Sequence, residues 1–415
     1  ETFVMELNAG QISSINYEEG LAIVAIVGEN MKNVPGVIAR VFSPLGRNGI
    51  NVKAISQGSS ELNISIAINE ADLKKALRVL HQSLFSKELQ HLHLYMAGTG
   101  AVGKRLLEMI DSQKEYLETQ KISLRLCGLS NSRRMLLNEN SIDLNRWQDL
   151  MNEDFEKADL RKFIDRLFSH NLENAVFIDL TASDDPIPYY VELLQHSVAI
   201  VAANKRANTQ SMAHYKLLKE SARKRNVPFH YETNVGAGLP VINALRSLMV
   251  SGDKVIRIEA VLSGTLNYLT SEYDGSKPFS ELVRTAKEIG YTEPDPRDDL
   301  SGMDVARKCL ILARECGWEI ELSDIIVEPM MPEASATAVD VPAFFDTLEP
   351  YNDIFQQRYE TAKAAGKKLR YVAIIENGQA IDIMSLKAQL TGVLIGSLVC
   401  VVLGMWDDRR SLPPV

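Results

Sequence analysis

This chain has little cysteine and no net positive charge. Its four cysteines, Cys127, Cys309, Cys316 and Cys400, form no CxxC pair and have no histidine at zinc-finger spacing. That excludes a secreted disulfide framework and points to reduced, mostly buried thiols in the cytoplasm. The 45 lysines and arginines are outnumbered by 54 aspartates and glutamates, a net charge of -9. With no basic surplus, neither nucleic acid nor an anionic membrane surface is an expected partner. Long apolar runs are missing too, except at 388–406 (AQLTGVLIGSLVCVVLGMW), an uncharged stretch that just reaches the length of a membrane helix. No signal peptide opens the chain, and Glu1 in place of methionine points to a trimmed or partial gene product. What remains is an ordinary globular profile, 46% hydrophobic, 24% charged and 7% aromatic over 415 residues. At about 100 to 200 residues per domain it predicts two to four domains and favours small metabolites as partners.

The first section reads as a compact α+β module. Residues 21–27 (LAIVAIV) look like a buried strand, Gly28, Glu29 and Asn30 like a turn, and the spacing of Val37, Ile38, Val41, Phe42 and Leu45 predicts a helix. Asn48-Gly49 is a second turn, 50–55 and 62–68 are strands, and 70–84 is an amphipathic helix with acidic residues in its first turn. The order is β-α-β-β-α, with 92–96 either a last strand or the start of the next domain. The segments GENMKNVPGVIARVF, NGINV and QGSSELNIS resemble an ACT domain, a ferredoxin-like regulatory module that binds amino acids. They closely resemble the second ACT module of bifunctional aspartokinase/homoserine dehydrogenases. That resemblance implies a threonine-sensing role for Gln57; the competing reading is that Ser59, Ser60 and Glu61 only shape a strand entrance.

The second section starts with a strand at 91–97 that runs into Gly98, Thr99, Gly100, Ala101, Val102 and Gly103 and then into an amphipathic helix. GxGxxG alone is weak evidence, but strand–GxGxxG–helix is the context of a dinucleotide fingerprint. Its first Gly makes the turn, the second lets the backbone approach the pyrophosphate, the third allows helix–strand packing, and the helix N-terminus attracts phosphate. Alternating signals follow, with strands at 123–129, 175–180 and 199–203, so the fold class is α/β, a Rossmann-type doubly wound parallel sheet. The second strand ends in Ser130, Asn131, Ser132, Arg133 and Arg134, with no carboxylate for a ribose hydroxyl and two guanidiniums for a 2′-phosphate. NADP is therefore expected, with NAD possible if the arginines are merely solvated.

Three stretches of the third section are polar and glycine-rich where a core would be apolar: YETNVGAGLP from Tyr231, LSGTLNY from Leu262, and GYTEPDPRDDLSGMDVARK from Gly290. Asp304 and Lys308 are four apart on a helix predicted at 301–316, so both leave one face. Taken alone, such a pair is usually a surface ion pair worth about 0.2–0.5 kcal/mol; a lysine made more acidic by burial can instead give a proton to a carbonyl that receives hydride. With the fingerprint and Asn204-Lys205, these stretches resemble homoserine dehydrogenase from about residue 15 to about residue 380. The chain looks like the C-terminal half of the bifunctional enzyme.

The resemblance implies reversible NAD(P)-dependent reduction of L-aspartate 4-semialdehyde to L-homoserine. It makes Lys308 the proton donor, with Lys205 sharing that work beside the cofactor, and Glu293 and Asp304 the carboxylates for the substrate ammonium. Thr181 matches a cofactor contact. Glu232 with the carbonyls of Val235, Ala237 and Leu239 matches a structural Na+ site, and GAGLP as a second dinucleotide loop is discounted. L-threonine is an implied effector and a homo-oligomer the expected state. The implied domains are a linker remnant at 1–18, the ACT domain at 19–90, the NADP-binding domain at 91–230, an α+β catalytic and dimerisation domain at 231–384, and an atypical apolar tail at 385–415. That tail departs from the family's closing segment, whose loss suggests an alternative: an amino-acid-sensing fragment with impaired catalysis. A membrane anchor rests only on 388–406 and is the weakest reading.

Overall fold

The computed structural model describes residues 17–85, 89–153, 155–376 and 379–387, the last as backbone, with a few positions before residue 17. Most of the expected linker and all of the chain beyond residue 387, including the apolar stretch, lie outside the described residues. The chain divides into two units, one running up to Asn204 and resuming at Lys216–Tyr231, the other comprising Lys205–Tyr215 and the chain from Glu232 onward.

The first unit begins with an antiparallel sheet of β1 (Leu21–Val27), β2 (Val52–Gln57) and β3 (Asn63–Asn69), in the order β1-β3-β2. In β3 every second residue, Ile64, Ile66 and Ile68, is buried, the period-two signature of a sheet covered on one face. The helices Val37–Arg47 and Leu73–Leu84 provide that cover, closing a core of Val24, Val41, Leu45, Val79 and Leu80 around the isoleucines. The expectation that residues 21–27 form a buried strand is corrected by this one-sided cover: Val24 is 5% exposed, whereas Ile23 and Val27 are 76% exposed. The 92–96 stretch belongs to the next sheet, as β4 (Gln90–Ala97).

That second sheet adds β5 (Ile122–Ser130), β6 (Arg134–Leu137), β7 (Glu156–Lys157), β8 (Ala175–Asp179), β9 (Ala199–Ala202) and β10 (Phe229–His230), in the order β10-β9-β8-β4-β5-β6-β7. The strands from β10 to β5 are parallel, while β6 and β7 extend the sheet in antiparallel sense. The sheet is thus mixed at one edge rather than wholly parallel. From β4 the chain moves first to β5 and later to β8 on the opposite side, which creates the switch point where open α/β sheets bind ligands at their carboxyl ends.

The second unit carries β11 (Arg257–Ala260), β12 (Ile326–Val327), β13 (Lys368–Glu376) and β14 (Gln379–Lys387), in the order β11-β13-β14-β12. The helix Met303–Glu315 packs on β13 and β14 and buries Val305, Ala306, Cys309, Leu310, Ile311, Leu312 and Ala313. A second apolar centre stacks Phe279 on Phe355 at 4.0 Å, with Tyr273 edge-on to both. Cys127, Cys309 and Cys316 are buried, as expected of structural thiols, and burial pushes Cys127 up to about 12 and Cys316 to about 11. No helix among the described residues is long and apolar enough to cross a membrane.

Candidate active site

At the carboxyl end of β4, the glycines behave as a fingerprint requires. Gly98 sits at φ +106°, and a Cβ there would lie 2.8 Å from the Leu180 backbone; a Cβ on Gly103 would lie 2.2 Å from the Gly98 carbonyl oxygen. Gly100, which caps the helix Ala101–Ser112, faces open space. The first and third positions therefore serve close backbone packing, and the second leaves room for a ligand. The room is an open cleft of about 730 Å³ bordered by Gly98, Thr99, Gly100, Asn131, Ser132, Arg133 and Thr181. Ala101, Val102 and Gly103 form the first helical turn and do not line it.

Asn131 organises the loop after β5. Its Oδ1 accepts the backbone N–H of Arg133 (2.8 Å) and Arg134 (2.9 Å), and its Nδ2 donates to Thr99 Oγ1 at 3.3 Å. The two guanidiniums expected at the cleft part company here. Arg134 opens β6, donates to the Met151 carbonyl and to Asn152, and lies 4.4 Å over the Phe155 ring. Only Arg133, exposed and without a side-chain partner among the described residues, borders the cleft.

Sequence reading missed a buried carboxylate beneath the same cleft. Asp179, at the end of β8 and fully buried, accepts from Thr181 N–H (2.8 Å), Tyr190 O–H (2.7 Å) and Asn204 Nδ2 (3.0 Å). Burial and then the Asp179 charge push the Tyr190 hydroxyl well up, so it stays a donor. Asn204 also donates to the Ser183 carbonyl at 2.8 Å, which ties the loops after β8 and β9 together. An FID triplet in an apolar strand was the available signal.

In the second unit, Asp304 is held between two ammonium groups. Lys308 Nζ approaches its Oδ2 at 2.7 Å and also donates to the Leu262 carbonyl at 2.5 Å; Lys205 Nζ donates to its Oδ1. The i,i+4 pair was legible, but the third member comes from 99 residues away. Burial alone raises the Asp304 carboxyl, and the Lys308 and Lys205 charges outweigh it and hold the group below the usual carboxylate range.

Glu293 is exposed on a neighbouring loop, its side chain without a partner among the described residues. Its backbone N–H donates to Asp299 Oδ2 (2.8 Å), and Asp299 Oδ1 accepts from Thr265 Oγ1 (2.9 Å). Asp299, a second residue missed in sequence, therefore anchors the Glu293 loop; burial, with the Asp304 and Asp298 charges added, raises its carboxyl.

Glu232 caps the helix Val241–Val250, accepting the backbone N–H of Ile242 (2.8 Å) and Asn243 (3.0 Å). Val235 is buried, Ala237 takes φ 52°, and the Leu239 carbonyl accepts from Val241 N–H at 2.9 Å. No group of three or more His, Cys, Asp or Glu suited to a metal occurs among the described residues. Gln57 is exposed at the end of β2, remote in sequence from every group above.

Fold and cleft define the class: a Rossmann-type dinucleotide-binding protein with an α+β second domain and a small βαββα module preceding it in sequence. Family models agree. A homoserine dehydrogenase NAD-binding domain matches residues 98–232, a homoserine dehydrogenase domain matches 240–402, and an ACT domain matches 24–84. The second of these continues past the described residues into the apolar stretch that sequence reading set apart. A bifunctional aspartokinase/homoserine dehydrogenase of Haemophilus influenzae is 39% identical over 91% of this chain and 46% of its own length. A chloroplastic counterpart of Arabidopsis thaliana is 39% identical over 94% of this chain and 44% of its own. Among solved structures, a Candida auris protein of unknown function is 28% identical with a TM-score of 0.63, covering 71% of this chain and 83% of that one. A hyperthermophilic archaeal homoserine dehydrogenase in complex with NADPH is similar in fold, with 18% identity, a TM-score of 0.55, and coverage of 72% and 83%. The chain belongs to the homoserine dehydrogenase family, with an ACT domain preceding its NAD(P)-binding domain. It spans less than half the length of the bifunctional relatives.

Proposed function

We propose that this chain catalyses the reversible NADP-dependent interconversion of L-homoserine and L-aspartate 4-semialdehyde. The observation that carries this reading is the Asp304 carboxylate held between Lys308 and Lys205. A bound nicotinamide supplies hydride acceptance from the alcohol carbon, or donation to the carbonyl. Lys308 handles the accompanying proton: as the neutral amine it takes it from the hydroxyl in oxidation, and as the ammonium it gives it to the carbonyl oxygen in reduction. Its bonds to Leu262 and Asp304 fix where Nζ stands, and Lys205 shares the task from the other carboxylate oxygen. Asp304 and Glu293 take the substrate ammonium. Since Asp304 already faces two cations, Glu293 is the carboxylate with free capacity. An assay of NADPH formation from L-homoserine tests the reading; threonine binding without any turnover would favour the alternative of a sensing fragment.

Arg133 is assigned to the 2′-phosphate of NADP. Arg133→Ala is expected to weaken NADPH binding about 10- to 100-fold, the worth of one charge-assisted contact at about 1.5–3 kcal/mol, and to leave NADH binding unchanged. Equal losses with both nucleotides, measured by titration, would remove the assignment. A monovalent cation is assigned to Glu232 with the carbonyls of Val235, Ala237 and Leu239. A carboxylate has about four lone-pair sites, so helix capping leaves Glu232 capacity for an ion, and a donor set of one carboxylate and carbonyls suits Na+. L-Threonine is proposed as an effector through Gln57: it should alter homoserine oxidation in the intact protein and not after Gln57→Ala. A homo-oligomer and a cytoplasmic location complete the proposal.

A further inference from the structure

We propose that Arg314 and Glu321 are positioning residues that clamp the Lys205–Tyr215 segment to the Met303–Glu315 helix and so keep Lys205 on Asp304. Arg314 lies in the last turn of the helix that carries Asp304 and Lys308, and its side chain has no exposed surface. Every guanidinium donor is used. One terminal nitrogen donates to the carbonyls of Asn208 (2.9 Å) and Gln210 (2.7 Å). The other donates to Glu321 Oε2 (3.0 Å) and, with Nε, to the Ile320 carbonyl (3.1 and 3.2 Å). A buried cation is tolerated only when its donors are satisfied, and here two of the acceptors belong to the segment that begins with Lys205.

Glu321 completes the grip. Its other oxygen accepts the Met212 backbone N–H at 2.8 Å, so the segment is held at 208, 210 and 212. The hold passes back to the lysine through Thr209, whose hydroxyl donates to the carbonyls of Lys205 (3.3 Å) and Arg206 (3.2 Å). Asn208 is fixed from its other side, its Nδ2 donating to Asn234 Oδ1 at 2.9 Å. Lysine cannot replace the arginine, because an ammonium has about three donors and no planar fork. Neither Arg314 nor Glu321 touches the Asp304 carboxylate, so their effect on it runs through the placement of Lys205.

The kinetic part of this inference rests on the reading under Proposed function; the geometric part does not. Two variants of the whole chain, Arg314→Lys and Glu321→Ala, are compared with wild type by reductive methylation of lysines and peptide mass spectrometry. Release of Lys205 from Asp304 should speed its methylation by about two- to fivefold, the factor for losing a partly exposed ion pair, with Lys308 unchanged. Unaltered Lys205 labelling in both variants, or an equal rise at Lys205 and Lys308, overturns the clamp. In the assay, Glu321→Ala should lower kcat by about tenfold with KM for NADP unchanged, because small misplacements of reacting groups are costly. In a Lys205→Met background the same change should cost less than about twofold, since the two residues act through one contact. Equal losses in both backgrounds overturn it as well. If wild type turns over no homoserine, the functional reading falls, and the labelling alone decides the clamp.

Discussion

Replacing Lys308 with methionine is expected to lower kcat for homoserine oxidation by a factor of about 10² to 10⁴, the usual worth of a positioned acid–base group. Methionine keeps the length and apolar stem of the side chain, so the change removes the charge and the proton site with little change in packing. It also leaves the Leu262 carbonyl without its donor and Asp304 with Lys205 alone. That loss is expected to cost about 1–3 kcal/mol of stability, visible as a lower Tm. NADP affinity should hold within about twofold, because Lys308 bonds to Leu262 and Asp304, neither of which borders the cleft. Steady-state kinetics beside a nucleotide titration separates these outcomes, and turnover above a tenth of wild type would take the proton away from Lys308.

Gly103→Ala is expected to weaken dinucleotide binding by about 10- to 100-fold. The added methyl would stand 2.2 Å from the Gly98 carbonyl oxygen, a backbone atom with no rotamer to escape into. Either the helix Ala101–Ser112 moves off β4 or the Gly98–Gly100 turn deforms, and overpacking of this kind costs about 1–3 kcal/mol. Gly100→Ala is the control for the fold itself, since a Cβ there meets nothing within 4 Å. It should leave Tm unchanged while still crowding the space reserved for the ligand. A Gly103→Ala protein with wild-type Tm and wild-type NADPH affinity would mean that the packing argument is wrong.

Local periodicity made much of this protein readable. The elements of the βαββα module, the strand–glycine–helix fingerprint and the Asp304–Lys308 pair each show in the residue pattern of a short segment, so spacing alone marks them. For other features the local pattern does not give the partners. Arg133 and Arg134 are neighbours of identical chemistry, yet strand β6 carries one onto Phe155 and leaves the other at the cleft. The family resemblance makes Glu232 a cation ligand, and only the helix beginning at Val241 shows that its oxygens already serve two backbone donors. Asp179 looks like an ordinary strand end until Tyr190 and Asn204 close around it.

The sequence by itself determined the class of fold, the family and the dinucleotide fingerprint, because each depends on short-range order: periodicity, glycine positions and residue types at fixed spacing. Tertiary structure decided which charges work together. The pairing of Lys205 with Asp304 across 99 residues, and the buried arginine that holds the lysine's segment, arise only when distant strands and helices pack. A side chain's partners in a folded protein are set by proximity in space, which no spacing along the chain records.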